Sequence, residues 1–288
     1  MAGVAFAAVL LAGGTVGCGG GSGGETPAAA VAKAAENAEG IRSLHYRVTG
    51  TVPERGKVEA EASMGTEPAI MKMSMDTAGQ GVKGRMEIRF VDKAMYVGGS
   101  AIDSGELGGK SWFSADPAVW GRGATDNQSY RVLPTQLEGN PAAQSTMLTA
   151  AKKVRRIGSE TVNGTRTTHF RGTVTGPDIM AARDAAPDKA GRERQIGNLD
   201  QFMTLHIDGT LTVDLWVGDD GHTKQFRMRG DTRATRGGTD GKPLEFVDGD
   251  PLDVTFTFLD VNQPVTVEAP PSEDTADLAA AADEVQTG

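Results

Sequence analysis

Ile70-Met71-Lys72-Met73-Ser74-Met75, followed shortly by Val82-Lys83-Gly84-Arg85-Met86-Glu87-Ile88-Arg89-Phe90, sets the architecture of this chain. Met71, Met73 and Met75 alternate with Ile70, Lys72 and Ser74. Val82, Met86, Ile88 and Phe90 alternate with Lys83, Arg85, Glu87 and Arg89. Side chains two apart on a strand share a face, so each run predicts a strand with one buried and one wetted side. Such strands belong to antiparallel sheets, because parallel sheets are covered on both faces and read as continuous apolar runs.

The same period extends outward. Upstream, Leu44, Tyr46 and Val48 share a face, as do Val58, Ala60, Ala62 and Met64. Downstream, Met95-Tyr96-Val97 and Trp112-Phe113 continue the sheet. Val154–Val162 and Thr165–Thr175 flank Asn163-Gly164, the strongest short hairpin signal. Leu211, Val213, Leu215 and Val217 predict a further strand that returns through Gly218-Asp219-Asp220-Gly221 to a run carrying Phe226 and Met228. Val254, Phe256 and Phe258 mark another, and Pro264-Val265-Thr266-Val267 is expected to close the domain as a strand. Geometry places Met71, Met73, Met75, Met86, Ile88 and Phe90 on the same side as Val213 and Leu215. Water is expected to reach the alternate positions, which carry Lys72, Lys83, Arg85, Glu87, Arg89 and Asp214.

Helices are few. Thr26-Pro27 offers an N-cap and a first-turn proline for a helix over 28–39, ended by Gly40. Asn140-Pro141 starts a second, expected to run to about Lys153, and the polar stretch 176–198 is partly helical. Residues 116–140 read as turn-rich and irregular. About ten to twelve strands with two or three helices, and no strand–helix alternation, predict an α+β fold on one antiparallel sheet.

Cys18 is the only cysteine among 288 residues, so no internal disulfide is possible. It follows the apolar run Val4–Ala12, far shorter than the roughly 20 residues that span a bilayer, and resembles the lipid-modified cysteine that ends a bacterial lipoprotein signal. The expected division is a signal peptide over 1–17, a Gly/Ser tether over 18–26, one domain over 27–269 and an acidic disordered tail over 270–288. The tether would place the body roughly 15–18 Å from its anchor. Net charge is −9, and the tail holds Glu273, Asp274, Asp277, Asp283 and Glu284 without a basic residue. That balance excludes nucleic acid, which needs a basic face, as a partner.

No catalytic signature stands out, and an enzyme is not expected. Gly109-Lys110-Ser111 resembles the end of a phosphate loop, but Ser104 replaces the required glycine and the aromatic strand Trp112-Phe113 follows. His45, His169, His206 and His222 are scattered and read as ordinary surface residues, so no metal or cofactor is called for. Asp248-Gly249-Asp250 reads as a turn. Lys152-Lys153-Val154-Arg155-Arg156 reads as a solvated helix end or a lipid headgroup contact.

The methionine stripe has two readings. It is core under a covering helix, or it is the wall of a cavity for an acyl chain, to which flexible thioethers adapt well. Taken together, Cys18, the N-terminal helix, Val48-Thr49-Gly50-Thr51-Val52, Gly109-Lys110-Ser111-Trp112, Gly158–Gly164 and Val213-Asp214-Leu215-Trp216-Val217 resemble the LppX/LprA/LprF/LprG lipoproteins, which share the LolA/LolB-like fold. The resemblance spans about 27–269. It implies a strongly curved half-barrel sheet with helices across its concave side. It also implies an exported protein, lipid-anchored through Cys18 to the outer face of the cell membrane, that binds or transfers lipid or glycolipid acyl chains. On this reading Met71, Met73, Met75, Met86, Ile88, Phe90, Val213 and Leu215 line the ligand cavity. The alternative is a structural or regulatory envelope module with a filled core that binds a protein partner.

Overall fold

A computed structural model describes residues 25–53, 56–79, 82–105, 107–115, 139–236 and 245–277. The expected signal segment, Cys18 and most of the tether lie outside the described residues, as does nearly all of 116–140.

The chain begins with α1 (Pro27–Glu39). The Thr26 hydroxyl accepts from the Ala29 N–H at 3.2 Å, and Pro27 sits in the first turn, where an N–H would have no partner. Val31, Ala34, Ala35 and Ala38 form its buried stripe. A meander follows: β1 (Ser43–Val52), β2 (Gly56–Thr66), β3 (Ala69–Gly79), β4 (Val82–Val91), β5 (Ala94–Gly98) and β6 (Trp112–Ala115). After α2 (Pro141–Gln144) and a 3₁₀ turn over Ser145–Ala150 come β7 (Val154–Val162) and β8 (Thr165–Val174). Asn163 and Gly164 join these two strands with φ of 45° and 77°, the paired left-handed conformation that a tight hairpin requires. Then follow α3 (Gly176–Asp184), α4 (Lys189–Thr204), β9 (Leu211–Gly218), β10 (Thr223–Gly230), the small pair β11 (Arg233–Arg236) and β12 (Glu245–Asp248), β13 (Leu252–Val261) and β14 (Thr275–Asp277).

Twelve of these strands form one curved sheet in the order β14-β6-β5-β4-β3-β2-β1-β13-β10-β9-β8-β7. It does not close into a barrel, since β14 and β7 are its edges. Each described pairing is antiparallel except β14 with β6. β13 is the seam: it pairs with β1 on one side and β10 on the other, welding the meander to the second group of strands. α1 and the 3₁₀ turn lie over β7–β10 on the inner face. Gly172 of β8 permits that approach, because a Cβ there would lie 2.8 Å from Leu148 Cδ1.

Three expectations need correction. The second helix stops at Gln144 and tightens into 3₁₀ instead of continuing to Lys153. The hydroxyls of Ser145, Thr146 and Thr149 donate to carbonyls three residues back, at 2.7–2.8 Å, competing with helical geometry. Pro264–Val267 joins no strand; it belongs to an extended strap, 262–274, that crosses the outer face from β13 to β14. Arg89 holds the strap by donating to the Glu268 carbonyl at 3.1 Å. The tail is not disordered from Pro270: Ser272–Asp274 forms a 3₁₀ turn, and Thr275–Asp277 pairs with Trp112–Ser114. Gly109-Lys110-Ser111 proves to be the clamp for this segment. Lys110 Nζ donates to the Glu273 and Thr275 carbonyls, and the Ser111 N–H donates to Asp274 Oδ1.

Candidate functional site

Strand registers assemble the inner face row by row. Ala60, Met75 and Met86 stand side by side across β2–β4, with Ala62, Met73, Ile88 and Val97 in the next row and Met64, Met71, Phe90 and Met95 in the third. Across the seam, Val48 leads to Phe256, Phe226 and Leu215, and Met228 faces Val213. Met71, Met73, Met75, Met86, Ile88, Phe90, Val213 and Leu215 therefore occupy one face and one hydrophobic cluster. Met73, Met75, Met86, Ile88, Val213 and Leu215 are buried there, while Met71 and Phe90 are half-buried at its margin.

A cavity of about 850 Å³ opens beside this cluster, at the end of β2 between α1, α2 and α4. Ala38, Ile41 and Leu205, which belong to the core cluster, form part of its wall. Ala143 and Ala190 add small apolar surface, and none of the eight sheet residues above lines it. Its rim is polar: Arg194 Nε donates to Glu39 Oε1 at 3.0 Å, tying α4 to the end of α1. Asn198 bridges α4 to the 3₁₀ turn, accepting from the Thr146 hydroxyl at 2.9 Å, and Gln195 donates to the Thr149 hydroxyl at 2.9 Å. Sequence periodicity could not locate α4 on the sheet, because its buried face includes the polar Gln195 and Asn198 beside Phe202. Among the described residues no helix is long and apolar enough to cross a membrane, and no three His, Cys, Asp or Glu side chains are grouped to hold a metal ion.

The outer face carries a polar cluster that the sequence reading missed. His169 is not a surface histidine but is 4% exposed, with its ring stacked on Trp216 at 4.2 Å. Its Nδ1 lies 2.8 Å from Glu160 Oε1 and its Nε2 lies 2.6 Å from Asp214 Oδ1, so each ring nitrogen is within hydrogen-bond reach of a carboxylate. Asp214, expected to be wetted, is 1% exposed: Arg171 Nε donates to it at 2.5 Å and Arg229 at 2.7 Å. Burial pushes the Asp214 carboxyl up, but the hydrogen bonds from Arg229, Arg171 and His169 outweigh it and hold the group below the usual range. Glu160 is also held low, first by the hydrogen bond from Trp216 Nε1 at 2.8 Å and then by His169. The arrangement faces away from the inner cluster.

The basic run is divided. Lys152 pairs with Asp178 at 2.7 Å, and Arg155 and Arg156 stand exposed on the edge strand β7. Asp248-Gly249-Asp250 is a turn tied to Thr232, whose carbonyl accepts from the Gly249 N–H at 2.8 Å.

No protein-family model matches this chain, and no curated protein matches it. Solved structures do. LprF from Mycobacterium bovis is 15% identical, with 85% of this chain and 96% of LprF covered at a TM-score of 0.49. Lipoprotein LppX from Mycobacterium tuberculosis is 16% identical, with 84% and 98% covered at 0.46. A LolA superfamily protein from Nitrosomonas europaea is 8% identical, with 86% and 96% covered at 0.21. LprF and LppX, named by the sequence resemblance, thus stand among the structural matches.

Proposed function

We propose that this chain is a non-enzymatic lipoprotein of the cell envelope, held through Cys18 on the outer face of the cell membrane, that binds or transfers acyl chains of lipids or glycolipids. The observation that carries this reading is the 850 Å³ cavity, which reaches the inner-face cluster at Ala38, Ile41 and Leu205. That volume falls within the range of small-molecule sites, and Ala38, Ile41, Ala143 and Leu205 supply apolar wall beneath a rim of polar and charged residues. The methionines of β2–β5 supply an adaptable floor, since thioether side chains refill irregular space at little cost. Met71, Met73, Met75, Met86, Ile88, Phe90, Val213 and Leu215 are the proposed contacts for chains that pass from the cavity under the sheet.

Native mass spectrometry of the full chain, expressed in the presence of membranes, tests the reading. Co-purified lipid at near one equivalent is the expected result; protein that carries none overturns it. The burial of Met73 and Met75 at 3% and 4% exposure favours a second reading, a filled core in an envelope module that binds a protein. Crosslinking to one specific partner by lipid-free protein would select it.

A further inference from the structure

Gln201 brings an almost unspent amide to the cavity wall. It lines the 850 Å³ cavity from α4 and is half-buried. Its Nε2 donates only to the Met228 thioether, at 3.8 Å, and its Oε1 has no partner among the described residues. A thioether is a weak acceptor, so the amide keeps most of its donor capacity and all of its acceptor capacity. Its hydroxyl-bearing neighbours in the lining are engaged inside the protein. Thr66 donates to the Arg42 carbonyl at 3.1 Å, Thr204 to the Asp200 carbonyl at 2.8 Å and Thr146 to Asn198 Oδ1 at 2.9 Å. The carboxylates of Glu67 and Asp200 stand exposed at the rim, where water solvates them.

The helix fixes where the amide stands. One turn earlier is Gly197, which also lines the cavity. Nothing lies within 4 Å of where its Cβ would be, so the approach to Gln201 is open. One turn later is Leu205, which lines the cavity and belongs to the core cluster, as does Met228. Gln201 therefore marks the place where open cavity gives way to apolar wall. A ligand whose hydrocarbon packs on that wall brings the polar end of its chains to the amide. An ionised group gains no counter-charge from an amide and keeps its desolvation cost. An ester or ether oxygen can only accept, and it leaves Oε1 covered and unpaired. A hydroxyl can donate to Oε1.

We infer that Gln201 is a specificity-determining residue for the bound lipid: its Oε1 accepts a hydrogen bond from a hydroxyl at the junction between the ligand's acyl chains and its polar end. This inference rests on the lipid-binding reading above and narrows it to lipids that carry a free alcohol, on glycerol or on a sugar.

The test compares three probes that share their acyl chains: dioleoylglycerol, its O-methyl ether, which keeps the oxygen but lacks the donor, and monogalactosyl dioleoylglycerol. The full chain is incubated with each in mixed micelles, and bound lipid is counted by native mass spectrometry. The parent is expected to retain one or both alcohols about fivefold over the methyl ether, roughly the worth of one neutral hydrogen bond. Retention of dioleoylglycerol assigns the glycerol hydroxyl; retention of the galactolipid alone assigns the sugar. Gln201→Met, of similar length but without the amide, should bring the alcohols down to the level of the methyl ether. Gln201→Glu, which keeps an acceptor, should preserve the preference, and retention of the methyl ether should be equal in all three proteins. Equal retention of every probe by the parent, or a preference that survives in Gln201→Met, overturns the inference and leaves lipid binding standing. A preference lost in both variants, or methyl ether retention that falls in both, assigns the effect to the Met228 contact and also overturns the inference. Failure of the parent to retain any probe overturns the lipid-binding reading itself.

Discussion

On the inner face, β13 and β10 carry rings where β3 and β4 carry thioethers. Phe226 and Phe256 stack at 4.6 Å with only 4° between their planes, and Phe258 meets Phe226 edge-on at 6.1 Å. These rings have two side-chain torsions each and a preferred mutual geometry, so they fix one arrangement. Met75 opposite Met86, and Met73 opposite Ile88, make equally apolar pairs with far more internal freedom. The outer face repeats the contrast. Behind the rings, Asp214 is sealed under Arg171, Arg229 and His169; behind the methionines, Lys72 and Arg85 stand in water. The ring half has a fixed geometry inside and a sealed ion cluster outside, whereas the methionine half is adaptable inside and mostly wetted outside. On the proposed lipid-binding reading, the ring half would serve as the frame and the methionine half as the floor that conforms to the ligand.

Phe256→Ala attacks the frame and should have the largest effect, about 3–5 kcal/mol, because it leaves a cavity that stacked neighbours cannot refill. The urea midpoint measures it; a loss under 1 kcal/mol would erase the contrast between the halves. Asp214→Asn attacks the same half from outside. The expected cost is about 2–3 kcal/mol, less than for a fully buried pair, because Arg171 and Arg229 remain 37% and 34% exposed. It should also change the acid limb of stability. Asp214 and Glu160 both bind protons more weakly when folded, so their contribution is complete above the ordinary carboxylate range near pH 4 and is lost as pH falls below it. The variant should show a shallower acid limb in denaturant titrations; an unchanged slope would mean that the cluster does not couple to folding.

The strands were legible because a period of two is written directly in residue type, as Met71 to Phe90 illustrates. Asn163-Gly164 and Thr26-Pro27 were legible because only particular residues satisfy those backbone geometries. The cover over a face was not. Lys72 and Asp214 occupy equivalent alternate positions, yet one is exposed and the other is sealed by residues on neighbouring strands. The cavity was illegible for a related reason: its rim is built from Glu39, Arg194 and Asn198, polar residues brought together from α1 and α4. The tail misled because its composition is that of a solvated segment, whereas its hold comes from Lys110 and Ser111, more than 150 positions away.

Two smaller effects sharpen the comparison on the methionine side. Met73→Trp should leave the denaturant midpoint within about 1 kcal/mol of the parent, because the floor yields, while bound lipid falls. A cost of 1–3 kcal/mol in protein that never carried lipid would instead show an overpacked core. Deleting 272–288 should lower the thermal midpoint by about 2–4 °C, the equivalent of roughly 1 kcal/mol, through loss of the three-residue ladder on β6. It should also promote self-association through the uncovered edge, readable by light scattering. No change in either quantity would make β14 an ornament.

The strap from Asn262 to Asp274 acts as a mechanical stop. Its ends lie seven strand positions apart, about 34 Å across the sheet, and its thirteen residues reach at most roughly 45 Å when fully extended. It runs over the convex side, where tighter curling lengthens the path and flattening shortens it. The sheet can therefore relax outward, but it can curl inward only until the strap is taut. The C-terminal segment thus sets the smallest radius that the curved sheet can adopt.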